Sequence, residues 1–122
     1  MARENIVLSL NPDGQKLHGQ ESVLRENGFE IISAATPLQA RFEIEMGRCG
    51  IFLTSYITPF AIYRDLANLF RRSWPNGLVI FLMEHPDDNI PDADVLFSGE
   101  EPPEAVIPAI RSKQEMNTAP LP

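Results

Sequence analysis

The sequence is poor in cysteine, in basic charge and in long apolar runs, and each shortage closes a class of function. Cys49 is the single cysteine in 122 residues. An internal disulfide and a thiolate-cluster zinc or iron–sulfur site are therefore excluded, and a reducing cytoplasm is the expected location. Lys and Arg number 10 against 17 Asp and Glu, a formal net charge of -7. Nucleic-acid affinity comes largely from Lys and Arg displacing counterions, so direct DNA or RNA binding is disfavoured. No stretch approaches the roughly 18 apolar residues of a membrane span. Met1-Ala2-Arg3-Glu4-Asn5 leads into strand-like sequence without the apolar segment of a signal peptide, so no membrane association is expected.

The familiar cofactor and metal signatures are missing as well. The loop Ser9-Leu10-Asn11-Pro12-Asp13-Gly14 has neither dinucleotide-binding spacing nor the lysine and threonine of a Walker loop, and no cofactor is expected. His18 and His85 lack a partnered nucleophile or ligand motif and read as surface residues. Cys49 reads as a packing residue. Glu84, Asp87, Asp88, Asp92 and Asp94 offer the oxygens that hard cations prefer, but their spacing matches no EF-hand, so the segment reads as a solvated acidic loop and no metal site is expected.

What is present is an ordinary globular composition, 43% hydrophobic and 22% charged, in a chain long enough for one domain with one core. Ile6-Val7-Leu8 is a first strand, ended by Asn11-Pro12-Asp13-Gly14. A polar helix with the sparse stripe Leu17, Val23 and Leu24 follows, from about Asp13 to Asn27, and Gly28 ends it. Ile31-Ile32 mark a second strand. Thr36-Pro37-Leu38-Gln39 combines an N-cap threonine, a first-turn proline and a capping-box glutamine, so a second helix starts there, with Leu38, Phe42 and Met46 sharing one face.

Ile51-Phe52-Leu53 is a third strand, and Pro59 opens a third helix with the stripe Ile62, Leu66, Leu69 and Phe70. Leu78 to Met83 is apolar without alternation, as a central parallel strand covered on both faces should be. Pro86 and Pro91 break the segment before Val95-Leu96-Phe97, where no helix is predicted. A last helix begins near Pro103, uses Val106, Ile107 and Ile110, and contains Pro108, which should kink or shorten it. Residues 1–113 form the expected domain, and 114–122 an expected disordered tail or linker. Alternating strands and helices imply a parallel sheet between helical layers.

In this order and spacing the chain resembles the receiver domain of two-component response regulators, a CheY-like, flavodoxin-like fold with strand order 2-1-3-4-5. The resemblance covers about Asn5 to Lys113. Pro12 keeps the place of the proline after the receiver acidic pair, and the acidic positions fall on Ser9 and Leu10. Pro59 keeps the place of the proline after the phosphoacceptor aspartate, whose position falls on Ser55. The receiver Ser or Thr at the end of strand four falls on Met83, the aromatic switch on Leu96 and the lysine on Gly99. The receiver Gly-Ala-Asp before strand five reads Asp92-Ala93-Asp94. Six residues separate His85 from Asp92 where receivers carry a whole helix four, so that helix is expected to be missing or much reduced.

The resemblance implies a phosphorylation-independent pseudo-receiver: a signalling module, not an enzyme, that acts through contact with another protein. Ser55 reads as a solvated loop residue rather than a kinase target. Phe60, Tyr63, Phe70 and Trp74 suggest an aromatic contact surface, although core packing explains at least Phe70 more simply, with Trp74 as its candidate partner-facing anchor. Two rival readings stay open. One is a small-molecule binding domain or enzyme on the same scaffold, with Ser9, Asn11, Ser55, Met83, Glu84 and Ser98 at the strand ends. The other is a structural oligomerisation domain, a homodimer included, favoured if the face between strand four and the last helix exposes apolar surface.

Overall fold

The computed structural model describes residues 2–85 and 87–118. The elements are β1 (Ile6–Leu10), α1 (His18–Glu26), β2 (Glu30–Ala34), α2 (Pro37–Met46), β3 (Ile51–Ser55), α3 (Phe60–Ser73), β4 (Leu78–Met83), β5 (Val95–Ser98) and α4 (Val106–Thr118), with short 3-10 turns at Arg3–Asn5 and Pro103–Ala105. The strands pair in parallel in the order β2-β1-β3-β4-β5. This is the flavodoxin-like sheet expected from the sequence, carried by four distinct helices.

Two apolar layers flank the sheet because successive side chains of a strand point to opposite faces. Leu8, Phe52, Val79 and Phe81 meet α2 and α3 through Ala40, Ile44, Tyr63, Leu66 and Phe70 on one face. Val7, Ile51, Leu53, Ile80 and Phe97 meet α1 and α4 through Leu17, Leu24, Val106 and Ile110 on the other. The central strands β3 and β4 are buried at every residue, which accounts for their unbroken apolar runs.

The start of α2 follows its capping signal. Gln39 N–H donates to Thr36 Oγ1 at 3.2 Å, and Gln39 Oε1 accepts the Ala35 N–H at 2.8 Å. Its orientation is a surprise, because Ala40 and Ile44 face the core while Leu38, Phe42 and Met46 point outward, 77%, 58% and 56% exposed. Both sets satisfy the same four-residue spacing, and the small Ala40 is what lets the helix sit close on the sheet.

Several other boundaries shift. Residues 13–17 form turns rather than a first helical stretch, because Asp13 Oδ1 accepts the N–H groups of Gln15 and Lys16, both at 3.0 Å. Pro108 lies in the first turn of α4, where an amide N–H has no partner within the helix, so it removes no helical hydrogen bond. The last helix also continues past Lys113, the expected domain end. Gln114, Glu115 and Met116 are good helix formers, and Gln114 Nε2 donates to the Glu4 carbonyl at 2.9 Å. The expected tail at 114–118 is thus helical, and residues 119–122 lie outside the described residues.

No helix is present among the described residues between β4 and β5. The connection is held to α3 instead. Tyr63 Oη donates to the Pro91 carbonyl at 3.0 Å, Arg71 donates to the Asp92 carbonyl and pairs with Asp94 at 2.8 Å, and Ile90 and Ala93 pack on the core. Asp94 is therefore no solvated acid. Its Oδ2 also accepts the Val79 N–H at 2.8 Å and fixes the loop to the start of β4.

Candidate functional site

In an open parallel sheet the carboxyl ends of the strands gather the loops that bind ligands or partners. Here β1 ends at Leu10, β3 at Ser55, β4 at Met83 and β5 at Ser98. The positions singled out by the receiver resemblance therefore meet at one edge, apart from Leu96, which sits one step back on β5 opposite Phe81.

Most of these side chains have been absorbed into the fold. Ser9, Leu10 and Ser55 are 0% exposed and Met83 8%. Leu10 and Met83 belong to the core layer beneath α2 and α3. Burying an apolar side chain there contributes about 1.5–3 kcal/mol, whereas an unpaired buried carboxylate would cost several. Ser55 is buried rather than solvated, contrary to its reading from sequence. Its Oγ accepts the Ile57 N–H at 3.3 Å and its carbonyl the Thr58 N–H at 3.0 Å, so the residue holds the turn after β3 and faces no solvent. Thr54 Oγ1 donates to the Leu10 carbonyl at 3.2 Å and shares a 2.9 Å hydrogen bond with Thr58, tying β1 to the same turn. Gly99 is different, since a Cβ built there meets nothing within 4 Å.

The sequence reading missed Glu21. Its Oε2 accepts from Ser9 Oγ at 2.6 Å, and the carboxylate is only 6% exposed. The signal was there: Leu17, Glu21 and Leu24 stand at i, i+4 and i+7, so the acid lies on the apolar stripe of α1. Nearby, Lys16 Nζ lies 5.2 Å from the Tyr56 ring centroid. The Tyr56 hydroxyl, and then the carboxylates of Asp13 and Glu84, raise the pKa of this lysine. Backbone N–H groups of Lys16 and Gln15 hold the Asp13 carboxyl below the usual range. Asn11 is buried, and its Oδ1 has no hydrogen-bond partner among the described residues. Such an orphan costs about 1–3 kcal/mol.

No group of three or more His, Cys, Asp or Glu among the described residues is arranged to hold a metal ion. The donor set of the edge is one buried acid engaged by a serine, several hydroxyls that hold turns, and one lysine beside two exposed-loop acids. It offers neither paired carboxylates nor an activated nucleophile. Among the described residues no helix is long and apolar enough to cross a membrane.

Apolar surface lies on the same side. Ile57 and Phe60, at the β3–α3 junction, are 39% and 46% exposed. Leu96, on the face otherwise covered by α2 and α3, is 39% exposed because among the described residues no helix covers that face of β5. The rest of the expected aromatic surface is absent: Tyr63 and Phe70 are fully buried. Trp74 lies at the far end of α3, half-buried, with the Arg3 guanidinium 4.3 Å from its ring centroid. Arg3 also donates to the Cys49 carbonyl at 2.8 Å and to Ser73 Oγ at 3.1 Å. Trp74 thus belongs to a clamp at the opposite edge of the sheet from Ser55 and Met83.

No family model and no curated protein matches the chain. Solved structures do. The chain is similar to a CheY-like receiver domain protein from Methanospirillum hungatei, with a TM-score of 0.76 at 17% identity over 93% of this chain and 95% of that one. A receiver protein from Sinorhizobium medicae gives 0.72 at 16% over 92% and 95%. The response regulator TrrA from Thermotoga maritima, solved with Mg2+-BeF, gives 0.73 at 15% over 89% and 98%. The chain therefore has the fold of a CheY-like response-regulator receiver domain, with four α-helices among the described residues.

Proposed function

We propose that this chain is a receiver-like signalling module that works without aspartyl phosphorylation and recognises another protein through the carboxyl edge of its sheet. The observation that carries the reading is the fate of Ser9, Leu10, Ser55 and Met83: all are neutral, all are buried, and each is packed or hydrogen-bonded within the fold. Phosphoryl transfer to an aspartate needs carboxylates to hold Mg2+ and cationic or hydroxyl groups to receive the developing charge. Side chains spent on the core and on turns supply neither. Ile57, Phe60 and Leu96 give the same region apolar surface for a protein partner. A free, buried Cys49 suits a cytoplasmic protein.

The test is thermal melting of the purified protein with Mg2+ and beryllofluoride, paired with mass spectrometry after acetyl phosphate. A ligand that binds only the folded state must raise the melting temperature. The expected result is no shift and no phosphoryl adduct; a shift or an adduct overturns the proposal. One observation favours a small-molecule site instead, the unpartnered Asn11 Oδ1 at this edge. A metabolite that raises the melting temperature of the protein but not of an Asn11→Ala variant would support that reading.

A further inference from the structure

We propose that α2 is the contact face of a twofold homodimer. Among the described residues seven large apolar side chains are exposed, and three of them, Leu38, Phe42 and Met46, lie on this ten-residue helix and form one outward stripe. An outward apolar stripe of this kind marks an interaction surface. The helix already has its core face, made of Ala40 and Ile44, so the stripe has no use inside the domain.

Charge selects a second copy as the occupant. The chain carries -7, yet residues 37–48 hold two arginines, Arg41 and Arg48, against two glutamates, Glu43 and Glu45. The face is neutral on an acidic molecule, so it adds no local repulsion between two like-charged copies. A strongly acidic or basic partner finds no net complement here. The stripe is also symmetric about Phe42. Pairing two α2 helices antiparallel across a twofold axis at Phe42 stacks Phe42 on its symmetry mate and sets Leu38 of one copy on Met46 of the other. Arg41 and Glu45, paired at 2.9 Å within each helix and 61% and 54% exposed, lie on one flank of the stripe. The twofold sets the helix dipoles antiparallel. Leu38 and Phe42 of the stripe line one groove with Ser33, Gln39 and Glu43, and these three give the contact a polar rim.

One short helix per copy and its rim make a small interface, so a reversible dimer is expected. The proposal is independent of the phosphorylation-independent reading, which concerns the carboxyl edge. Sedimentation of the full chain over a concentration series should show mass rising from monomer to dimer. Association should strengthen when salt rises from about 0.05 M to about 0.5 M, because screening removes the repulsion between acidic copies. Phe42→Glu should hold the protein monomeric while leaving its melting temperature as a monomer unchanged, since the side chain is already exposed. Register is tested by oxidation: Phe42→Cys should cross-link to itself, and Leu38→Cys should cross-link to Met46→Cys in a mixture but not to itself. A monomer at all concentrations, a dimer indifferent to Phe42→Glu, or Leu38→Cys cross-linking to itself overturns the proposal.

Discussion

Asp92 holds φ at +70°, the one described non-glycine residue in the left-handed region. It stands where the resembling family has glycine, in the triplet Asp92-Ala93-Asp94 before β5. Its carbonyl accepts from Arg71, so the backbone conformation is part of the clamp that replaces a helix. Glycine adopts this conformation without a Cβ penalty, although it loses more backbone entropy on folding. The balance favours glycine by about 0.5–1 kcal/mol. Asp92→Gly is expected to stabilise by that amount in urea unfolding, and Asp92→Val to destabilise. A loss on Asp92→Gly would mean that the position needs its carboxylate. Glu21 teaches the converse lesson at the same scale. Its place on the α1 stripe is legible in the letters, but its partner Ser9 lies twelve residues away on a strand, and only folding brings them within 2.6 Å.

Among elements, the turn between α3 and β4 shows how little room the fold leaves. A Cβ on Gly77 would lie 2.4 Å from Phe70 Cζ and 3.0 Å from Trp74 Cδ1, against a phenyl ring that is fully buried. Gly77→Ala is therefore expected to cost about 1–3 kcal/mol as overpacking. Gly99→Ala, with open space around it, should change stability by less than about 0.5 kcal/mol. Equal stabilities of the two variants in a denaturant titration would show that the Phe70 contact does not set the effect. The same scale explains the misread helices. The α2 stripe was visible, but its direction was not, because two apolar sets share the spacing and only the seat on the sheet distinguishes them. Pro108 is expected to kink or shorten the last helix because the sequence does not show that a 3-10 turn precedes α4 and delays its start to Val106.

For the whole molecule, two buried acids of high pKa set an alkaline limit. Burial pushes the Cys49 thiol from its ordinary 9.0 up to about 11. Burial, and then the nearby Asp92 carboxylate, push the Tyr63 phenol well above its ordinary 10.0. In both the fold holds the protonated form. The stability they lend is complete below the unfolded-state values and is lost as pH rises through about 9 and 10 toward the folded ones. For Cys49 the loss is on the order of 2 kcal/mol. Stability measured by urea from about pH 7 to about pH 11 should fall steeply above about pH 9, and Cys49→Ala with Tyr63→Phe should flatten the slope whatever they cost at neutral pH. An unchanged slope would assign the alkaline loss to net charge repulsion instead.

The sequence by itself determined the order of strands and helices, the α2 cap at Thr36 and the missing helix before Val95. These follow from local signals: apolar runs, caps and prolines act over a few residues and survive without tertiary context. Ser9, Leu10, Ser55 and Met83 were singled out by the resemblance to receivers, and local signals placed only the strands that carry them. Tertiary structure alone decided what those residues do. Ser55 is buried in a turn, Ser9 is spent on Glu21, Tyr63 holds the Pro91 carbonyl and Trp74 lies under Arg3, each through a partner distant in the chain or a burial that local sequence does not encode. The face of α2 that meets the sheet was settled the same way, because periodicity gives a helix its stripes and packing decides which one turns inward.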